Sequence, residues 1–211
     1  DIVPDNFLII IGKFNRIPKP SYAMQITGLC LLLIITLLTA GCKSQSEQLN
    51  TAPSTREFVV IGYVPGFGGE IDESTIDADK LTHINYAFVN VRDSMAWLEN
   101  LATDTVNFRK LNKLKAINPG LKILFSVGGW SWSENFSDAV LTESSRRKFA
   151  RTNVEIVENY DLDGVDIDWE YPGLKGQDNV FRPEDKQNFT LMFKALREEL
   201  DALGERTGKS Y

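Results

Sequence analysis

Histidine and cysteine are scarce in this 211-residue chain: one histidine, His83, and two cysteines, Cys30 and Cys42. A single histidine argues against a multi-histidine zinc centre and against a nucleophile activated by imidazole. His83 itself, inside an apolar run, reads as a packed strand residue. Both cysteines lie near the start, so the chain beyond residue 42 can form no internal disulfide. Positive charge is also short, with 23 Lys and Arg against 29 Asp and Glu and a net charge of −6. Binding a nucleic-acid backbone needs clustered cations, so no nucleic-acid partner is expected. No Gly-x-Gly-x-x-Gly follows the first apolar run, which weakens a dinucleotide-binding reading. Gly204 to Ser210 imitates a phosphate-binding loop but is one residue short and follows a helical pattern.

What is present falls into three segments. In the first, 1–41, the chain opens on Asp1, and its first methionine, Met24, stands directly before an apolar run from Ile26 to Ala40. No structural weight is placed on residues 1–23. The run is about the length of a signal-peptide core and short for a membrane span. Lys13, Arg16 and Lys19 precede it, and Leu38-Thr39-Ala40-Gly41-Cys42 ends it. That ending resembles a bacterial lipobox, with Cys42 the lipidation site. A plain secretory signal and an anchor helix are the alternatives. Export is expected, with the membrane reached through a lipid anchor. The second segment, 42–57, is rich in Ser, Gln and Thr and reads as a flexible tether. The third, 58–211, carries the fold.

From Phe58 onward, short apolar runs alternate with helical patterns. Strands are expected at 58–64, 81–89, 121–127 and 164–169. A helical turn is expected near 76–80. Helices are expected at 108–117 with Leu111, Leu114 and Ile117 on one stripe, at 144–160, and from Pro183 to Gly204. This order implies an α/β fold with a parallel sheet, and the apolar strands imply burial on both faces. An open doubly wound sheet and a (β/α)8 barrel both remain.

The densest chemistry lies in Asp163-Gly164-Val165-Asp166-Ile167-Asp168-Trp169-Glu170-Tyr171-Pro172. Side chains on a strand alternate, so Asp166, Asp168 and Glu170 share one face while Val165, Ile167 and Trp169 point the other way. Asp163 has the wrong parity for that row and reads as structural, at the start of the strand. Neighbouring carboxylates raise one another's pKa. The row fits a catalytic acid array, a Ca²⁺ or Mg²⁺ site, or a solvated edge strand. Acids at the carboxyl end of a strand suit the barrel, whose active sites lie there. The third strand ends in Ser126-Val127-Gly128-Gly129, where glycines allow close backbone approach. Trp130 and Trp132 follow directly. Trp97 reads as a loop residue with no role in the site.

Asp163-x-x-Asp166-x-Asp168-x-Glu170, with Ser126-x-Gly128-Gly129 one strand earlier, resembles the signature of family 18 glycoside hydrolases, the chitinases and their relatives. The resemblance runs from about residue 58 to the end. It implies an incomplete (β/α)8 barrel of about four β/α units, a glycosidase needing no metal and no cofactor, and chitin or related N-acetylglucosamine oligosaccharides as partners. It also implies that the substrate's own N-acetyl oxygen is the nucleophile. Glu170 would then be the acid, its pKa raised by its neighbours. Asp168 would orient the acetamido group, and Asp166 would share a proton with Asp168. Tyr171 and Trp130 would contact sugar rings, and Tyr63 and Phe88 would line the base of the site. The family's later motifs, a Met-x-Tyr-Asp and a final tryptophan, are missing, so the chain is expected to be a fragment with little activity alone. A non-catalytic glycan-binding protein and an endo-N-acetylglucosaminidase acting on N-glycans are the competing readings.

Overall fold

The computed structural model describes the backbone of residues 8–12 and residues 58–211. The apolar run at 26–40, Cys42 and the tether to residue 57 lie outside the described residues. Among the described residues the chain forms a six-stranded sheet with helices packed against it. The strands are β1 (Leu8–Gly12), β2 (Val59–Pro65), β3 (His83–Arg92), β4 (Met95–Trp97), β5 (Lys122–Gly128) and β6 (Gly164–Asp168). The helices are α1 (Leu101–Lys113), α2 (Phe136–Ala139), α3 (Glu143–Asn159) and α4 (Asp185–Thr207). Strands β2, β3, β5 and β6 run parallel in that spatial order, so the expected α/β class with a parallel sheet holds. β1, given no structural weight above, lies antiparallel along the outer edge of β2. Its run Leu-Ile-Ile-Ile has strong β-propensity and occupies an edge that would otherwise be unpaired.

The register explains how one sheet serves two purposes. Ile84, Tyr86, Ile123, Phe125 and Val127 are fully buried, and Val165 and Ile167 pack against the same core. Against this face Phe108 of α1 meets Tyr86 edge-on at 4.9 Å and Tyr160 at 5.2 Å. Phe136 of α2 stacks on Trp169 at 5.1 Å and 14°, and meets Phe149 of α3 at 5.8 Å. Each buried aromatic of this kind stabilises the fold by roughly 1.5–3 kcal/mol. The residues of opposite parity, Tyr63, Asn85, Ser126 and Asp166, stand on the second face. Pairing aligns Tyr63 with Asn85, and Ser126 with Asp166.

Several boundaries differ from the sequence expectations, each for a local reason. α1 starts at Leu101, earlier than expected, because its polar first half is tied down by side chains and not by an apolar stripe. Asp104, buried, accepts from the Tyr86 hydroxyl at 2.7 Å and from the Asn100 amide at 3.1 Å. Ile117 lies past the helix and is 59% exposed, so the expected stripe ends at Leu114. α4 begins at Asp185, because Arg182 to Asp185 form a turn closed by the Asp185 amide on the Arg182 carbonyl. It also runs past Gly204 to Thr207. A Cβ at Gly204 would sit 2.8 Å from the Lys209 carbonyl oxygen, so this glycine lets the chain fold back and does not stop the helix. The stop is Gly208, in the left-handed region.

β3 outruns its expected end and turns through Asp93 and Ser94, both at positive φ, into β4. Trp97 therefore lies on a strand, not in a loop. It is 42% exposed, with the Arg92 guanidinium 5.8 Å from its ring. His83 is half-buried, with Nδ1 2.8 Å from the Thr82 hydroxyl, and burial lowers its pKa.

Candidate active site

The carboxyl ends of β5 and β6 meet under tight steric control. A Cβ on Gly128 would overlap the Asp168 carbonyl oxygen and come within 2.7 Å of the Phe136 ring. One on Gly129 would press the Phe88 ring at 3.0 Å, and both glycines have positive φ. The glycine pair thus lets β5 close onto the β6 backbone, with the Gly129 amide donating to the Asp168 carbonyl at 2.8 Å. Phe88 sits where the β3–β5 register shifts between Ala87 and Val89. An irregularity of this kind re-aims a side chain at a strand end.

Asp166 and Asp168 lie on the second face of the sheet, opposite Val165 and Ile167. Oδ2 of Asp166 accepts from the Tyr63 hydroxyl at 2.8 Å and from the Ser126 hydroxyl at 2.7 Å. Tyr63, from β2, thus crosses the sheet face to reach β6. Its phenol is pushed above its ordinary value by burial and by the Asp166 charge. Proton sharing was expected between Asp166 and Asp168, but the described hydrogen bonds of Asp166 go to these two hydroxyls.

Asp168 has its pKa raised to about 6, by burial first and then by the charges of Glu170 and Asp166. That carboxyl is desolvated and has an acid on either side, and both effects disfavour its charged form. Glu170 follows β6, and its amide donates to the buried Ser133 hydroxyl at 2.8 Å. Among the described residues, no three His, Cys, Asp or Glu are grouped to hold a metal ion.

Aromatic side chains flank the acids. Trp130, 50% exposed, and Tyr171, 44% exposed, meet at 6.4 Å and 67°. The adjacent Glu170 carboxylate raises the Tyr171 phenol. A cavity of about 370 Å³ is lined by Phe67, Phe88, Gly128, Gly129, Trp130, Ser131 and Trp132. Phe67, 74% exposed, was absent from the sequence reading. Its loop is fixed from below by Asn107, which donates to the Gly69 carbonyl at 3.0 Å and accepts from the Ile71 amide at 2.9 Å. An aromatic between Gly66 and Gly68, just past a strand, was the available signal. Ser133 gave no such signal, since two of its partners, Asp168 and Glu170, lie 35 and 37 residues further along the chain.

At the opposite end of the same strands, Asp163 accepts from the Ile123 amide at 2.8 Å and pairs with Lys115 at 2.7 Å and Lys122 at 3.3 Å. It locks the start of β6 to β5 and is remote from the acid row.

Closely spaced acids on one strand thus lie beside a glycine-tightened neighbour and exposed aromatics. The chain belongs to glycosyl hydrolases family 18, whose model matches residues 59–211. It is 35% identical to Chitinase A1 of Niallia circulans over 97% of this chain and 35% of that protein. It superposes on a chitinase from Bacillus thuringiensis with a TM-score of 0.67 at 33% identity, covering 72% of this chain and 34% of the other. A family 18 N-acetylglucosaminidase from Paenibacillus barengoltzii gives a TM-score of 0.64 at 43% identity, over 72% and 43% of the two chains. The chain spans about a third of the length of the first curated relatives it matches.

Proposed function

We propose that this chain carries the acid-bearing part of a chitinase-type glycosidase that cleaves β-1,4-linked N-acetylglucosamine polymers by substrate-assisted, retaining hydrolysis. The observation that carries the reading is the shared face of Asp166 and Asp168, with Glu170 next beyond them and the Trp130–Tyr171 corner alongside. Glu170 protonates the leaving glycosidic oxygen. The substrate's acetamido oxygen attacks the anomeric carbon and displaces the aglycone, and water then opens the cyclic intermediate with Glu170 acting as base. Asp168, protonated below about pH 6, orients the acetamido group and, once ionised, balances the positive charge of the intermediate. Asp166 is held by the Tyr63 and Ser126 hydroxyls and keeps the field on Asp168 negative. Trp130 and Tyr171 contact sugar rings, and Tyr63 and Phe88 form the floor. Gly128 and Gly129 supply the close approach of the two strands, and Asp163 anchors their far end.

Helices on a single sheet face support reading 58–211 as the first four units of a (β/α)8 barrel, in preference to a doubly wound sheet. The basic stretch, apolar run and Cys42 support export and lipid anchoring, with 42–57 as the tether.

The test is Glu170→Gln in the full-length protein. Turnover of a chitin oligomer should fall by about 10²–10⁴-fold with binding retained; a wild-type rate would overturn the assignment. The likeness to the Paenibacillus barengoltzii enzyme favours a second reading, removal of single N-acetylglucosamine units. Release of the monosaccharide alone from a long oligomer would select it.

A further inference from the structure

The pairing of β5 with β6 ends at Gly128 and Asp168. Alternation along a strand is enforced by its hydrogen-bonded neighbours, so Glu170, two residues past the last pair, has no ladder to fix its direction. Another group must do so. Ser133, fully buried just after the Trp130–Trp132 turn, sits at that point. Its Oγ accepts the Glu170 amide at 2.8 Å, and its hydroxyl lies within donating distance of the Gly129 carbonyl at 2.9 Å and the Asp168 carbonyl at 3.2 Å.

One hydroxyl therefore meets the backbone on both sides of Trp169. The Trp169 ring is held in the core, 5% exposed and stacked on Phe136. With Trp169 anchored below and both its neighbours' backbone groups bound from the side, the Asp168 and Glu170 side chains are left on the opposite side from the ring.

We propose that Ser133 is a positioning residue for Glu170, taking the place of the missing strand partner. It touches no substrate and acts through the backbone of the acid. The inference rests on the glycosidase reading above. It predicts a defect in the chemical step more than in binding, because a displacement of about 1 Å in a reacting group costs roughly 100-fold in rate.

The experiment compares Ser133→Ala, Ser133→Thr and Ser137→Ala with wild type in the full-length protein. Ser137 is equally buried but bonds to Asp185 and Arg182, so it controls for the loss of any buried hydroxyl. Rates are normalised to folded enzyme by circular dichroism. For Ser133→Ala, kcat on a chitin oligomer should fall about 100-fold while KM stays within about twofold. The basic limb of its pH–rate profile should move, since that limb reports the acid that must hold a proton. Ser133→Thr should restore most of the rate, and Ser137→Ala should keep it. A fold defect alone scales the profile without moving it. If Ser133→Ala proves insoluble, Ser133→Cys, close in size but a weak hydrogen-bonding group, should show the same split between kcat and KM. Wild-type kcat and an unmoved profile in the folded variant, or a loss matched by Ser137→Ala, would overturn the proposal. Glu170→Gln, run in parallel, separates the two failures: if it stays active the glycosidase reading falls, and if it is dead while the folded Ser133 variant is normal, only the positioning role falls.

Discussion

The two ends of β6 carry aspartates five residues apart whose environments push them in opposite directions. At the amino end, burial pushes Asp163 up, but the Ile123 amide and then Lys115 and Lys122 outweigh it, and its pKa ends below the usual carboxylate value. At the carboxyl end, Asp168 is buried to a similar extent and meets only like charge, so its pKa climbs to about 6. Similar burial of one residue type thus yields a structural anchor where cations and an amide face it and a proton-holding acid where carboxylates face it. This is the division expected of a barrel-type strand, whose amino end serves stability and whose carboxyl end serves chemistry.

Three substitutions test that contrast. Gly128→Ala should do the most damage, because the new methyl meets the Asp168 carbonyl in a backbone region alanine avoids. A loss of about 3–5 kcal/mol is expected from strain and overpacking together, read by urea denaturation. Asp163→Asn comes next and should destabilise by about 1–3 kcal/mol at pH 7 through its weakened bonds to Ile123 and the two lysines. Because the folded pKa of Asp163 lies below its unfolded value, its contribution is present above about pH 4 and is lost as pH falls through the folded value. Asp168→Asn should have the opposite sign. The folded carboxyl binds a proton up to about pH 6 and the unfolded one only to about 3.9. Wild-type stability therefore falls as pH rises between those values. Removing the charge should stabilise the protein by about 1–2 kcal/mol at pH 7, after discounting for solvent screening, and have little effect near pH 4, while hydrolysis is lost. Thermal melts at pH 4 and pH 7 decide it, and a destabilised Asp168→Asn at pH 7 would remove the contrast.

Much of this arrangement was legible in the sequence, for identifiable reasons. The strands around Ile84, Ile123 and Val165 announced themselves as short apolar runs, and α3 by the spacing of Phe149, Ile156 and Val157. Asp166 and Asp168 were placeable because a period of two admits one arrangement on a paired strand. The Asp93–Ser94 hairpin was not legible, because its turn lacks the glycine that usually marks positive φ. The early start of α1 was hidden because Asp104 and Asn107 bury polar atoms in a network with Tyr86, a pattern that hydrophobic periodicity misses. The raised pKa of Asp168 was not legible, because sequence order shows which acids are neighbours but not which one is desolvated. Ser133 was named only as part of a familiar-looking run, and its partners become visible only when β5 and β6 are laid side by side.

The same strand that exposes Asp166 and Asp168 also sends Val165 and Ile167 into the helix layer. Deleting or inserting one residue between Gly164 and Glu170 would exchange these sets, driving ionised groups into oil and greasy ones into the cleft. Length variation among relatives should therefore be barred from this heptapeptide and absorbed in the turn after Pro172, where Leu174 and Phe181 already face water.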